Sequence, residues 1–166
     1  MADVLIIIDM QVGICDGSQP LANLATVTTG IQQRIASYRA QDKPIVFVQH
    51  NDADLVTGSA NWKVISDLPI ETTDFVIQKT HANSFYHTDL QQQLQALRCQ
   101  SLEICGAQVE FCIDTTVKMA HGMGYQLEMV RGLTTTTDNP MMSAQQTIDF
   151  YQDRIWNHRF LTFVND

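Results

Sequence analysis

Five consecutive apolar residues, Val4-Leu5-Ile6-Ile7-Ile8, lie between Asp3 and Asp9. A strand with one wet face alternates polar and apolar side chains, so an unbroken run this short reads as a strand covered on both faces. Ile45-Val46-Phe47-Val48 repeats the pattern. Phe75-Val76-Ile77, Leu102-Glu103-Ile104-Cys105, Leu127-Glu128-Met129-Val130 and Phe160-Leu161-Thr162-Phe163-Val164 complete a set of six predicted strands. Helical spacing fills the intervals. Leu24, Val27, Ile31, Ile35 and Tyr38 mark a first helix ahead of Lys43-Pro44, and Leu90, Leu94 and Leu97 a second. Ile113, Thr116, Val117 and Ala120 mark a third, and Ile148, Tyr151 and Ile155 a fourth. The alternation predicts an α/β three-layer sandwich, a six-stranded, mainly parallel sheet with helices on both faces. Residues 51–61, with Gly58 and Ser59, and residues 132–140, with four consecutive threonines, read as loops.

A length of 166 residues suits one domain spanning 1–166, and 45% hydrophobic against 17% charged residues supplies a core and excludes disorder. The formal charge of −8, with only ten Lys and Arg, excludes nucleic acid and anionic membrane as partners, since both require a basic face. No apolar run approaches the roughly 20 residues of a membrane-spanning helix. The first run also lacks the basic start and the length of a signal peptide, so a cytoplasmic address is expected. Without an export signal, Cys15, Cys99, Cys105 and Cys112 read as reduced thiols.

In doubly wound sheets the ligand site lies at the carboxyl ends of the strands, where strand order reverses. Those ends carry Asp9-Met10-Gln11, His50-Asn51-Asp52, Gln78-Lys79-Thr80-His81 and residues 106–112. Taken singly, an acid after the first strand also caps loops, and a lysine at a strand end is commonly solvated. Cys105, inside a strand, reads as a buried apolar residue. Cys112 falls in the first turn of a predicted helix, where free N–H groups and the positive dipole end favour a thiolate. Together the three residues make a nucleophilic centre. The acid accepts the thiol proton and the ammonium offsets the remaining charge.

The chain resembles the isochorismatase-like cysteine hydrolases, the superfamily of nicotinamidases and N-carbamoylsarcosine amidases. The matching pieces are Ile8-Asp9-Met10-Gln11, then Lys79 with Ser84-Phe85 and Thr88-Asp89-Leu90, then Cys105-Gly106-Ala107-Gln108-Val109-Glu110-Phe111-Cys112. Thr115-Thr116, Ala120 and Gly124-Tyr125 follow in the family's order. The resemblance implies a triad of Asp9, Lys79 and Cys112 that cleaves a C–N bond of a small amide or ureido compound through a thioester. It also implies an oxyanion hole from the amides of Gln108 and Cys112, a non-proline cis peptide at Ala107-Gln108, and assembly as a dimer or tetramer. Gln11, His50, Trp62, Phe85 and Phe111 are the candidate pocket residues.

The chain departs from the family at the place where nicotinamidases hold a metal. Those members carry Asp-x-His after the second strand, whereas this chain has His50-Asn51-Asp52. His50, Asp52, Asp54, His81 and His87 are types that bind zinc, yet such loop residues are usually solvated, so neither metal nor cofactor is expected. Val109 replaces the usual Thr three residues before the cysteine, and Gly132-Leu133 the usual Asp-Ala. Isochorismatases proper cleave a vinyl ether and lack the cysteine, so Cys112 favours acyl chemistry. A phosphate receiver needs an Asp where Lys79 stands. A silent binding module would have no need of all three triad positions.

Overall fold

The computed structural model describes residues 1–164. Its strands are β1 (Val4–Ile8), β2 (Ile45–His50), β3 (Phe75–Lys79), β4 (Ser101–Ala107), β5 (Gln126–Val130), β6 (Thr134–Thr135) and β7 (Thr162–Val164). They form one parallel sheet in the order β3-β2-β1-β4-β5-β7, with β6 paired to the end of β4. The order reverses between β1 and β4. That is the crevice in which sheets of this type bind ligands.

All five residues of β1 are buried, as the unbroken apolar run requires. Because successive side chains point to opposite faces, Val4, Ile6 and Ile8 enter one core layer and Leu5 and Ile7 the other. The first layer packs on α3 (Leu90–Ala96), α4 (Asp114–Gly122) and α5 (Ala144–Asp149) through Leu90, Leu94, Val117 and Ile148. The second packs on α2 (Leu24–Arg39) through Val27, Ile31, Ile35 and Tyr38. Each such aliphatic side chain is stabilised by about 1.5–3 kcal/mol relative to exposure, and this drives the sandwich closed. A short helix, α1 (Val12–Cys15), follows β1. No helix among the described residues is long and apolar enough to cross a membrane.

The sheet has seven strands where the sequence predicts six. β6 lies inside the threonine run read as a loop; it is two residues long and made of threonine, so no apolar pattern announces it. Its residues are nonetheless fully buried. β7 starts at Thr162, two residues later than expected, because Phe160 and Leu161 belong to a turn whose amides donate to the Trp156 carbonyl. The third predicted helix begins with a π-helical turn over Val109–Ile113. The fourth continues from α5 into a π-helical stretch, Phe150–Trp156, whose buried Trp156 donates from Nε1 to Asp114 Oδ1 at 2.9 Å.

Candidate active site

Three adjacent strand ends supply the chemistry. β1 stops at Ile8 and the chain turns at Asp9, which adopts a left-handed conformation (φ 54°) and donates its N–H to the Val48 carbonyl at 2.9 Å. Aspartate tolerates that region better than most residues, and non-glycine residues held there cluster at functional sites. β3 ends in Lys79, which stands in register with His50 at the end of β2. β4 passes close behind β1: Gly106, opposite Ile8, has φ 115°, and any Cβ there would run into the Ile8 carbonyl. The cis peptide Ala107-Gln108 follows, then the π-helical turn that carries Cys112.

These turns converge on one ammonium. Lys79 Nζ donates to Asp9 Oδ2 at 2.7 Å and to Cys112 Sγ at 3.2 Å, and lies 3.1 Å from His50 Nδ1. Lys79 and Asp9 are each only 1% exposed, so the pair is withdrawn from solvent. Asp9 Oδ1 is buried and accepts from no donor among the described residues. Cys112 is half-buried, whereas Cys15, Cys99 and Cys105 are buried. Gln108 is the residue before the π-helical turn and Cys112 lies within it, and no backbone carbonyl among the described residues accepts from the Gln108 N–H.

Burial sets the proton inventory. Loss of solvation raises the Asp9 carboxyl above its ordinary range, although Lys79 pulls the other way. The Cys112 thiol is pushed up to about 12, first by burial and then by the Asp9 charge, with Lys79 opposing. Desolvation and the neighbouring carboxylate thus act against the thiolate that a helix N-terminus would favour. Asp9 and Cys112 thus form a pair that holds one proton and one negative charge beside Lys79 across a wide pH range.

The remaining candidate residues divide by what they touch. Gln11 is wholly buried; its Nε2 donates to the carbonyls of His50 (3.0 Å) and Trp62 (2.9 Å), and its Oε1 accepts from His50 N–H at 2.7 Å. It ties the ends of β1 and β2 to the following loop, and its amide is engaged by the framework. Gln49 Nε2 adds a second bond to the Trp62 carbonyl at 2.8 Å, so the backbone at half-buried Trp62 is pinned. Phe85 is 8% exposed and stacks on Tyr125 at 6.2 Å, in the core layer with Leu90 and Leu94. Phe111, two residues after the π-helical turn begins, is 54% exposed. His50 contacts the lysine itself rather than serving only as a wall.

Two supports were not legible in the sequence. Thr116 Oγ1 donates to Ser84 Oγ at 2.9 Å and accepts from Ser84 N–H at 3.1 Å, fastening the loop after β3 to the helix behind Cys112. Thr136 Oγ1 donates to Glu110 Oε2 at 2.6 Å, tying the π-helical turn to the chain beyond β6. Ser84 and Thr116 fall in the motif pieces; the Glu110–Thr136 pair has no local signal. Among the described residues no group of three or more His, Cys, Asp and Glu is arranged to hold a metal ion. Two wide clefts of ≈620 and ≈920 Å³ lie along β5 and β7, away from the trio, and neither contains Asp9, Lys79 or Cys112.

Comparison with known proteins bears on this arrangement. The family profile described as "Isochorismatase domain" matches residues 3–147. A secreted isochorismatase effector from Verticillium dahliae is 27% identical over 87% of this chain and 78% of its own length. An uncharacterized isochorismatase family protein from Bacillus subtilis is 30% identical over 82% of this chain and 79% of its own. A crystal structure of an isochorismatase family protein superposes with a TM-score of 0.94 at 46% identity, covering 97% of this chain and 96% of that one.

Proposed function

Because the chain belongs to the isochorismatase family, we propose that it is a cysteine hydrolase that cleaves a C–N bond of a small amide or ureido compound through a thioester on Cys112. The observation that carries this reading is the buried, unpartnered Oδ1 of Asp9 beside a protonated thiol, with Lys79 bonded to both residues. A carboxylate oxygen left without a donor in a dry site is a base awaiting a proton.

In this reading Asp9 takes the thiol proton as Sγ attacks the carbonyl carbon, and the charge moves from carboxylate to sulfur without leaving the reach of Lys79. The N–H groups of Gln108 and Cys112 meet the developing oxyanion. The tetrahedral intermediate collapses as Asp9 returns the proton to the departing nitrogen, so ammonia or an amine leaves. Water, deprotonated by Asp9, then attacks the thioester, and the thiol is regenerated with release of the acid. Lys79 donates to Asp9 and Cys112 and its ammonium also faces His50 Nδ1, so this buried cation is enclosed by the protein's own groups rather than open to a substrate carboxylate. This favours a neutral acyl group over the dicarboxylate isochorismate. A panel of small primary amides, ureido acids and isochorismate, scored by ammonia release and by loss of each compound, tests the proposal. Ammonia from an amide or ureido acid is the expected result; turnover of isochorismate alone would contradict it.

A further inference from the structure

The Lys79 ammonium has three N–H donors and is itself withdrawn from solvent, and three side chains lie within hydrogen-bond reach of it. Two are the reacting groups of the proposed chemistry, Asp9 and Cys112; the third is the imidazole of His50, whose Nδ1 lies 3.1 Å from Nζ. A buried ammonium with an unmet donor would turn toward another acceptor, because an unsatisfied buried polar group is costly. We propose that His50 is a positioning residue: a neutral imidazole whose Nδ1 takes the third Lys79 proton and so holds the ammonium against both Asp9 and the Cys112 sulfur. The proposal deepens the hydrolase reading, since it concerns the same trio.

The surroundings fit a neutral ring with one defined tautomer. With Nδ1 accepting, the ring proton sits on Nε2, which faces Asp52 Oδ2 at 3.5 Å. Asp52 is held in place by its other oxygen, Oδ1, which accepts from the amides of Asp54 (2.9 Å) and Leu55 (2.8 Å). The His50 backbone is fixed from below by both polar atoms of the Gln11 side chain. Four charged or titratable neighbours act on the imidazole: Lys79 from the end of β3 and His81 beyond it, Asp9 from the end of β1, and Asp52 on its own loop. Burial and Lys79 lead, and together they lower its basicity below the ordinary histidine value. A protonated ring would set N–H against N–H and release the lysine. Lys79 must also stay in place once the sulfur is acylated and accepts more weakly. His50 and Asp9 then supply the two acceptors that do not change.

Acceptor-matched substitutions test this, with iodoacetamide as the probe of the sulfur. Asn places Oδ1 near the position of Nδ1, whereas Leu offers no acceptor. We expect His50→Leu to slow alkylation of Cys112 about tenfold to a hundredfold, the scale of a misplaced catalytic group, and His50→Asn to stay within a few-fold of wild type. The same ranking should appear in kcat on the best amide of the panel, with KM little changed. If His50→Leu reacts like wild type, if Asn is as impaired as Leu, or if the change falls on KM alone, the proposal is overturned. Should the Leu variant not fold, His50→Gln, whose oxygen reaches toward the place of Nε2 instead, serves as the mismatched arm with the same expectation. Cys112→Ala separates the two ideas: if it keeps turning over the amide, the thioester reading fails whatever His50 does.

Discussion

Among the described residues two ion pairs have both side chains buried, and they are built differently. On the α2 side of the sheet, Arg34 clamps Glu103 with two bonds of 2.6 Å, from Nε to Oε1 and from Nη2 to Oε2, and the Tyr38 hydroxyl adds a third at 2.9 Å. Both carboxylate oxygens are satisfied, and burial together with Glu103 pushes the Tyr38 hydroxyl up, which keeps it a donor. At the carboxyl ends of the strands, Asp9 has one oxygen on Lys79, and its other oxygen has no fixed donor, with the Cys112 thiol as the carboxyl's remaining partner. Completeness separates the two. In the Arg34–Glu103 pair each carboxylate oxygen is held by a buried donor, and the pair reads as framework. The incomplete pair retains an acceptor next to a thiol, at the cost of a carboxyl raised by desolvation.

Substitutions at each pair should part these roles. Asp9→Asn removes the base while keeping the shape, and should lower kcat by about 10²–10⁴-fold, the usual span for a general base, with the circular dichroism spectrum unchanged. If Asp9→Asn turned over at the wild-type rate, the distinction between the pairs would collapse. Glu103→Gln should do the reverse: it removes the charge that Arg34 clamps, costs stability by up to about 3–5 kcal/mol in urea unfolding, and leaves kcat per folded molecule unchanged. A loss of kcat with no loss of stability would instead place Glu103 in the reaction.

The pH profile gives a smaller and sharper test. Turnover needs an ionised Asp9 and a thiol proton to transfer. Asp9 is raised above its ordinary value near 3.8, so kcat/KM should fall tenfold per unit as pH drops through that raised value. The thiol at about 12 places the alkaline limb beyond the working range, so activity should stay level from neutrality to about pH 10. A steep alkaline fall near pH 8 would mean that Cys112 is a far more acidic thiol than its burial allows.

The same contrast explains what the sequence made legible. Val4 to Ile8 could only be a doubly covered strand, and its carboxyl end places Asp9 on the edge of the sheet where ligands bind. Lys79 and Cys112 followed from strand ends and motif pieces. What stayed hidden was relational. Phe85 looks like a pocket wall and packs in the core; Gln11 is absorbed by backbone groups 39 and 51 residues away. β6 is two threonines whose pairing partner, β4, is remote in sequence. The rise of the Cys112 thiol depends on how deeply the turn is buried, and residue order does not encode that directly. His50 showed its chemical type without showing that its Nδ1 meets the lysine.

The central claim is that Cys112 carries the acyl group. Peptide mapping by mass spectrometry, on enzyme acid-quenched during turnover of the best amide, tests it most directly. The account predicts that the peptide containing Cys112 gains the mass of the acyl group, that the adduct is released by hydroxylamine, and that it is absent from Cys112→Ala. Steady ammonia release from Cys112→Ala, with no adduct on any peptide, would contradict it.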